Sequence, residues 1–76
     1  NSGKNGILIY KDNENLIVKS ENNLDEVSVY DTVGRLIYIS KNAKKEVLIN
    51  KNNLPEGMYI IKAISRNTTI TKKVLR

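Results

Sequence analysis

The chain has 76 residues, 39% of them hydrophobic, and a formal net charge of +5. This length allows one small domain with a small core. The sequence contains no cysteine and no histidine, which excludes disulfides, thiol chemistry and the commonest metal ligand and acid–base group. We therefore expect no enzyme activity, no catalytic residue, no cofactor and no metal site.

The first six residues are polar and include two glycines. Their composition predicts a linker remnant over residues 1–6, followed by one folded domain over residues 7–76. No apolar run approaches the length needed to cross a bilayer. No signal-peptide pattern is present, so the signal peptide of an exported parent protein would lie upstream.

Short β-branched runs, separated by clusters of Asn, Asp, Gly and Lys, predict seven strands. In chain order they are residues 7–11, 16–20, 26–31, 35–40, 46–50, 58–65 and 68–75. This spacing, with no helix between strands, predicts an all-β fold: an immunoglobulin-like antiparallel β-sandwich of about seven strands. Both faces of the sixth strand are largely apolar, which indicates a central position. Lys72 interrupts the apolar set of the seventh, which indicates an edge strand protected by charge.

Several residues between the strands have the chemistry of turns. The run Asp12-Asn13-Glu14-Asn15 favours a turn over a calcium loop, because the order of a calcium loop is not met. Gly34 is expected to supply a positive φ, and Arg35 to pair with Asp31. A second set is expected to form a turn with packing beneath it: Leu54, Pro55, Gly57 and Tyr59.

Three segments in series resemble a known family. The first is residues 27–38, with Val29, Tyr30, Asp31, Gly34 and Arg35; the second is residues 54–62, with Leu54, Pro55, Gly57 and Tyr59. The third is residues 71–76, with Lys72, Lys73, Val74, Leu75 and Arg76. In order and spacing they resemble the type A C-terminal sorting domain of cargo proteins of the type IX (Por) secretion system of Bacteroidetes. Arg76 departs from that pattern, since the family often ends on an apolar residue or a lysine.

This resemblance implies a secretion signal that directs a cargo protein across the outer membrane. The implied partners are the type IX translocon, a sortase-like protease that removes the domain, and a cargo protein joined ahead of it. The implied location is the periplasm in transit to the outer membrane, the cell surface or the medium. The implied recognition residues lie at what the sequence predicts to be an exposed terminus: Lys72, Lys73, Val74, Leu75 and Arg76.

Two other functions remain open. The first is an accessory immunoglobulin-like module that binds carbohydrate or protein on a secreted enzyme. The second is a small barrel that binds nucleic acid; however, the lysines are interleaved with acidic residues, so we expect no nucleic-acid partner. An exposed edge strand also makes a dimer through that edge possible.

Overall fold

The structure, a computed structural model, describes residues 6–76. They form seven strands and one short 3-10 turn over Lys51–Asn53. The strands are β1 (Ile7–Lys11), β2 (Asn15–Ser20), β3 (Glu26–Asp31), β4 (Leu36–Lys41), β5 (Glu46–Asn50), β6 (Met58–Ser65) and β7 (Thr68–Leu75). Residues 1–5 of the predicted linker lie outside the described residues. No helix within the described range is long and apolar enough to cross a membrane.

All seven predicted strands are confirmed, with small differences at two of them. Strand β2 begins one residue earlier than predicted, because Asn15 pairs with Asn50 of β5. Strand β4 begins one residue later, because the backbone and guanidinium of Arg35 both bind Asp31 and keep Arg35 in the turn. It also extends to Lys41, which pairs with Glu26.

The strands form two antiparallel sheets. One sheet has the order β1-β2-β5 and the other the order β4-β3-β6-β7. With the strands lettered A, B, C, C′, E, F and G in chain order, the sheets are ABE and C′CFG. This arrangement is that of an immunoglobulin-like sandwich, so the predicted fold class is confirmed. Strand β6 lies between β3 and β7, and β7 is an edge, also as predicted.

The core lies between the two sheets and follows from the alternation of side chains along each strand. In β5, Val47 and Ile49 are buried while their neighbours face outward. In β6, Tyr59, Ile61 and Ala63 are buried in the same alternating way. The buried cluster comprises Ile7, Ile9, Leu16, Val18, Leu24, Val27, Val29, Val47, Ile49, Leu54, Tyr59, Ile61, Ala63 and Val74.

The two ends of the sandwich carry different connections. One end holds the turns of residues 12–15, 31–35 and 51–57 and the end of β7, and we call it the motif end. Hydrogen bonds link these pieces: the Lys51 amide donates to the Glu14 carbonyl, and the Arg76 amide donates to the Gly57 carbonyl. The opposite end holds the remaining turns and Gly6, whose carbonyl accepts a hydrogen bond from the Glu21 amide. The longest dimension of the domain is 29 Å.

Candidate functional site

The first motif segment forms a tight turn between β3 and β4. The Asp31 carboxylate accepts hydrogen bonds from the Val33 amide at 3.0 Å, the Arg35 amide at 2.9 Å and Arg35 Nε at 2.7 Å. Gly34 has a φ of +94°, which a residue with a side chain adopts only with strain. The predicted roles of Gly34 and of the Asp31–Arg35 pair are therefore confirmed.

The electrostatics of this turn favour an ionised Asp31. Hydrogen bonding from the Arg35 amide is the largest cause that lowers the pKa of Asp31 below its ordinary value of 3.8. Desolvation acts in the opposite direction, while the Arg35 side chain and the Val33 amide add to the lowering. The Arg35 side chain is 76% exposed, so it remains accessible to a partner.

The second motif segment forms the turn that leads into β6. The Tyr59 hydroxyl donates a hydrogen bond of 2.6 Å to the Pro55 carbonyl, four residues upstream. A tyrosine at this place, near the start of strand F with this bond, is the tyrosine corner of immunoglobulin-like domains. Leu54 and Tyr59 are both buried in the core beneath the turn, as predicted. Gly57 has a φ of +148°, so this position also requires glycine.

The third motif segment lies in a regular strand, and the prediction of an exposed terminus is wrong for Val74. Its side chain is 7% exposed and belongs to the core, because β7 pairs with β6 along all eight residues. The Lys72 ammonium donates to the Ile9 carbonyl of β1 at 2.8 Å. Lys73 and Leu75 remain exposed, and Leu75 has 55% of its surface accessible.

Arg76 is also held by the fold. Its amide binds the Gly57 carbonyl at 2.9 Å, and its Nε donates to the Lys51 carbonyl at 2.7 Å. Its guanidinium lies 3.9 Å from the Glu56 carboxylate, and its side chain is 20% exposed. Arg76 therefore ties the end of β7 to the turn before β6, while part of its side chain stays accessible.

The three motif segments meet at the motif end. The backbone register places Tyr59 beside Asp31 on one side and beside Val74 on the other. On the outer face of the four-stranded sheet, Leu75 lies beside Met58. Segments that are far apart in sequence thus form one continuous surface.

A family model described as a domain of unknown function (DUF8694) matches residues 1–76. This chain belongs to the DUF8694 family. Among curated proteins, none matches the chain. The family description assigns no activity.

A polar cleft of about 310 Å³ also opens at the motif end, beside Arg76. Sequence reasoning missed it, because its residues come from two distant turns and the residue after β7, which only the fold brings together. It offers amide, carboxylate and cationic groups but no aromatic ring. Its lining residues are Asn13, Glu14, Asn50, Lys51, Asn52 and Arg76. Within residues 6–76, no group of three or more acidic side chains could hold a metal ion.

Proposed function

We propose that this domain is a sorting signal of the type IX secretion system, carried by a larger cargo protein. The translocon engages the folded domain during passage from the periplasm across the outer membrane. A sortase-like protease then cuts ahead of the domain, which leaves the cargo at the cell surface or in the medium. The observation that carries this proposal is the convergence of the three motif segments at one end of the sandwich.

The two ends of the domain suit these two steps, engagement by the translocon and cleavage ahead of the domain. The motif segments lie at one end, whereas Gly6 binds Glu21 at the other end. A cargo chain that enters through Gly6 therefore approaches the domain from the side away from the motif end.

The exposed part of the motif end supplies the contacts to a receptor. Arg35 and Lys73 present positive charge, and Leu75 presents an apolar side chain beside Met58. Val74 and Tyr59 are buried and hold this surface in place. Of the residues that the resemblance implies, we therefore assign direct contact to Lys73, Leu75 and Arg76, and a supporting role to Lys72 and Val74.

The test is a secretion assay with an exported fluorescent reporter fused ahead of this chain in a bacterium that has a type IX system. We expect the fusion to reach the surface or medium and to be trimmed. Deletion of residues 71–76 is a poor test, because it also removes Val74 from the core. The sharper variant is Lys73→Glu with Leu75→Ser, which changes two exposed side chains. We expect its exported fraction to fall at least about tenfold, the effect of losing ~1.4 kcal/mol of binding.

The matched control is Lys44→Glu with Leu48→Ser, which makes the same changes at exposed positions away from the motif end. Leu48 is 53% exposed, close to the value for Leu75, and this control should be exported like the parent fusion. If the parent fusion stays in the periplasm untrimmed, the sorting proposal fails. If both double variants are exported normally, the motif end is not the contact surface.

A further inference from the structure

One side of the sandwich is closed by two lysines. Here β1, an edge of the three-stranded sheet, lies beside β7, an edge of the four-stranded sheet. Lys72 of β7 donates to the Ile9 carbonyl of β1 at 2.8 Å, and Lys11 of β1 donates to the Leu75 carbonyl of β7 at 2.6 Å. Each edge strand thus donates a lysine hydrogen bond to a backbone carbonyl of the other edge strand. A charged side chain therefore lies where a further strand would pair.

The other edge of the four-stranded sheet lacks this protection. Within the described residues, β4 has β3 as its only strand neighbour. Three of its six side chains are apolar and exposed: Leu36 at 50%, Ile37 at 41% and Ile39 at 42%. Its only charged residue, Lys41, is the last of the strand. An apolar edge strand of this kind is a template for pairing with another strand.

The apolar character continues from β4 across the outer face of its sheet. Directly paired residues in antiparallel strands project from the same face. The register places Leu36 beside Tyr30, Tyr30 beside Ile60 and Ile60 beside Lys73. A stripe of three apolar side chains therefore runs from the open edge to a lysine.

The charges on this face select the kind of partner. Lys41, Lys62 and Lys73 lie on it, and none of their ammonium groups is within 4 Å of a carboxylate in residues 6–76. Among the strand residues of the face the one acid is Glu26, which already accepts a hydrogen bond from the Ser28 hydroxyl. A second copy of this positive face would be repelled, whereas a partner with carboxylates would be attracted.

We propose that the edge of β4 and the adjoining outer face bind an extended protein segment as a fifth strand, with apolar side chains alternating with carboxylates. Strand addition supplies hydrogen bonds to the open backbone. Successive side chains of an added strand project to opposite faces of the sheet. Its carboxylates therefore lie on the outer face beside Lys41, and its apolar side chains lie on the other face beside Tyr38. A lipid surface would leave those backbone groups unsatisfied. A register shift between Val29 and Tyr30 leaves residues 38–41 as the regular part of the edge. This inference does not depend on the sorting function.

The test uses the 76-residue chain and a fluorescein-labelled eight-residue peptide in which valine alternates with glutamate. We expect fluorescence anisotropy to show binding, and amide NMR shifts to concentrate at residues 36–41. A peptide of valine and lysine, and the valine–glutamate peptide with alternate backbone amides methylated, should bind at least about tenfold more weakly. The methylated peptide keeps the side chains and removes only the strand hydrogen bonds, so it needs no variant of the domain.

The matched variants are Ile39→Glu on β4 and Leu48→Glu on β5, both at exposed apolar positions. The first should weaken binding of the valine–glutamate peptide at least about tenfold, and the second should leave it unchanged. Thermal unfolding of both variants checks that each is folded.

Four outcomes would overturn the proposal. Equal binding of the methylated peptide would exclude strand addition, and amide shifts confined to β7 would place the contact elsewhere. A dimer seen by sedimentation without peptide, and abolished by Ile39→Glu, would make a second copy the occupant. Binding to phosphatidylglycerol vesicles but not to the peptide would mean that the surface binds an anionic membrane.

Discussion

Asp31 and Tyr59 each bind the backbone of the turn to which they belong. Asp31 receives two amides and the Arg35 guanidinium, and the Tyr59 hydroxyl reaches the Pro55 carbonyl. These bonds are local in sequence, so short motifs can encode them without any partner protein. The buried motif residues therefore shape the surface, and the exposed ones remain available for contact.

Tyr59→Phe tests the tyrosine corner at the level of one atom. The change removes the hydroxyl that binds Pro55 and leaves its carbonyl without that donor. We expect a loss of about 1–3 kcal/mol in the free energy of unfolding, measured by urea denaturation. Tyr30→Phe is the control, because the Tyr30 hydroxyl makes no hydrogen bond within residues 6–76. The free energy of unfolding of this variant should stay within about 0.5 kcal/mol of that of the parent chain. Equal effects would show that the corner bond contributes nothing.

At the level of elements, the two edges of the four-stranded sheet differ. Strand β7 is connected to β1 through Lys72 and Lys11, and its Val74 lies in the core. Strand β4 presents three exposed apolar residues and no such bridge. The sequence prediction placed partner recognition on the last strand. The exposed Lys73 and Leu75 of that strand remain the proposed contacts. For pairing with a further strand, β4 is the more accessible edge.

Adjacent residues of β7 test how firmly this strand is held. Val74→Ala removes buried methyl groups and should lower the free energy of unfolding by about 2 kcal/mol. Leu75→Ala removes a larger side chain that is 55% exposed, and its effect should stay within about 0.5 kcal/mol. The denaturant midpoints of the two variants, compared with that of the parent chain, measure these two losses of stability. A smaller loss for Val74→Ala than for Leu75→Ala would mean that β7 does not pack in the core.

At the level of the whole molecule, two turns at the motif end each contain a carboxylate that accepts backbone hydrogen bonds in its ionised form. Asp12 accepts hydrogen bonds from the amides of Asn15 and Glu14, and these bonds lower its pKa below 3.8. Asp31, in another turn of the same end, also has a lowered pKa. Both carboxyl groups are easier to ionise in the folded chain than in the unfolded chain, so protonation opposes folding.

The stability of the domain should therefore fall in acid. The contribution of Asp12 and Asp31 is present above the unfolded-state pKa near 3.8 and is lost as the pH falls through their lower folded-state values. Thermal midpoints measured from about pH 7 to about pH 2 should decline at the acid end. The double variant Asp12→Asn with Asp31→Asn should be less stable at neutral pH and should decline less in acid.

Asp25→Asn is the control for this pH dependence. The Asp25 side chain is exposed and lies outside both turns, at the opposite end of the sandwich. The thermal midpoint of the Asp25→Asn variant should therefore decline in acid as that of the parent chain does. An unchanged decline in the double variant would show that other groups cause the loss of stability.

The sequence alone determined the all-β class, the seven strands and the chemistry of the turns. These features depend on neighbours in the chain: side chains alternate along a strand, as in β5, and Asp31 and Gly34 shape their own turn. The burial of Leu54 and Tyr59 was also predictable, because both flank a turn that Pro55 and Gly57 define. Two strand starts were wrong by one residue: that of β2, where Asn15 pairs with the distant Asn50, and that of β4, where Arg35 binds the nearby Asp31.

Only the tertiary structure decided which surfaces a partner can reach. The contact between Lys72 and Ile9 spans 63 positions and that between Lys11 and Leu75 spans 64, so no local pattern could predict them. The same holds for the meeting of the motif segments at one end and for the open edge of β4, since both follow from strand order. Strand order depends on the packing of the two sheets around a shared core, and each strand's own sequence says only that it can enter a sheet.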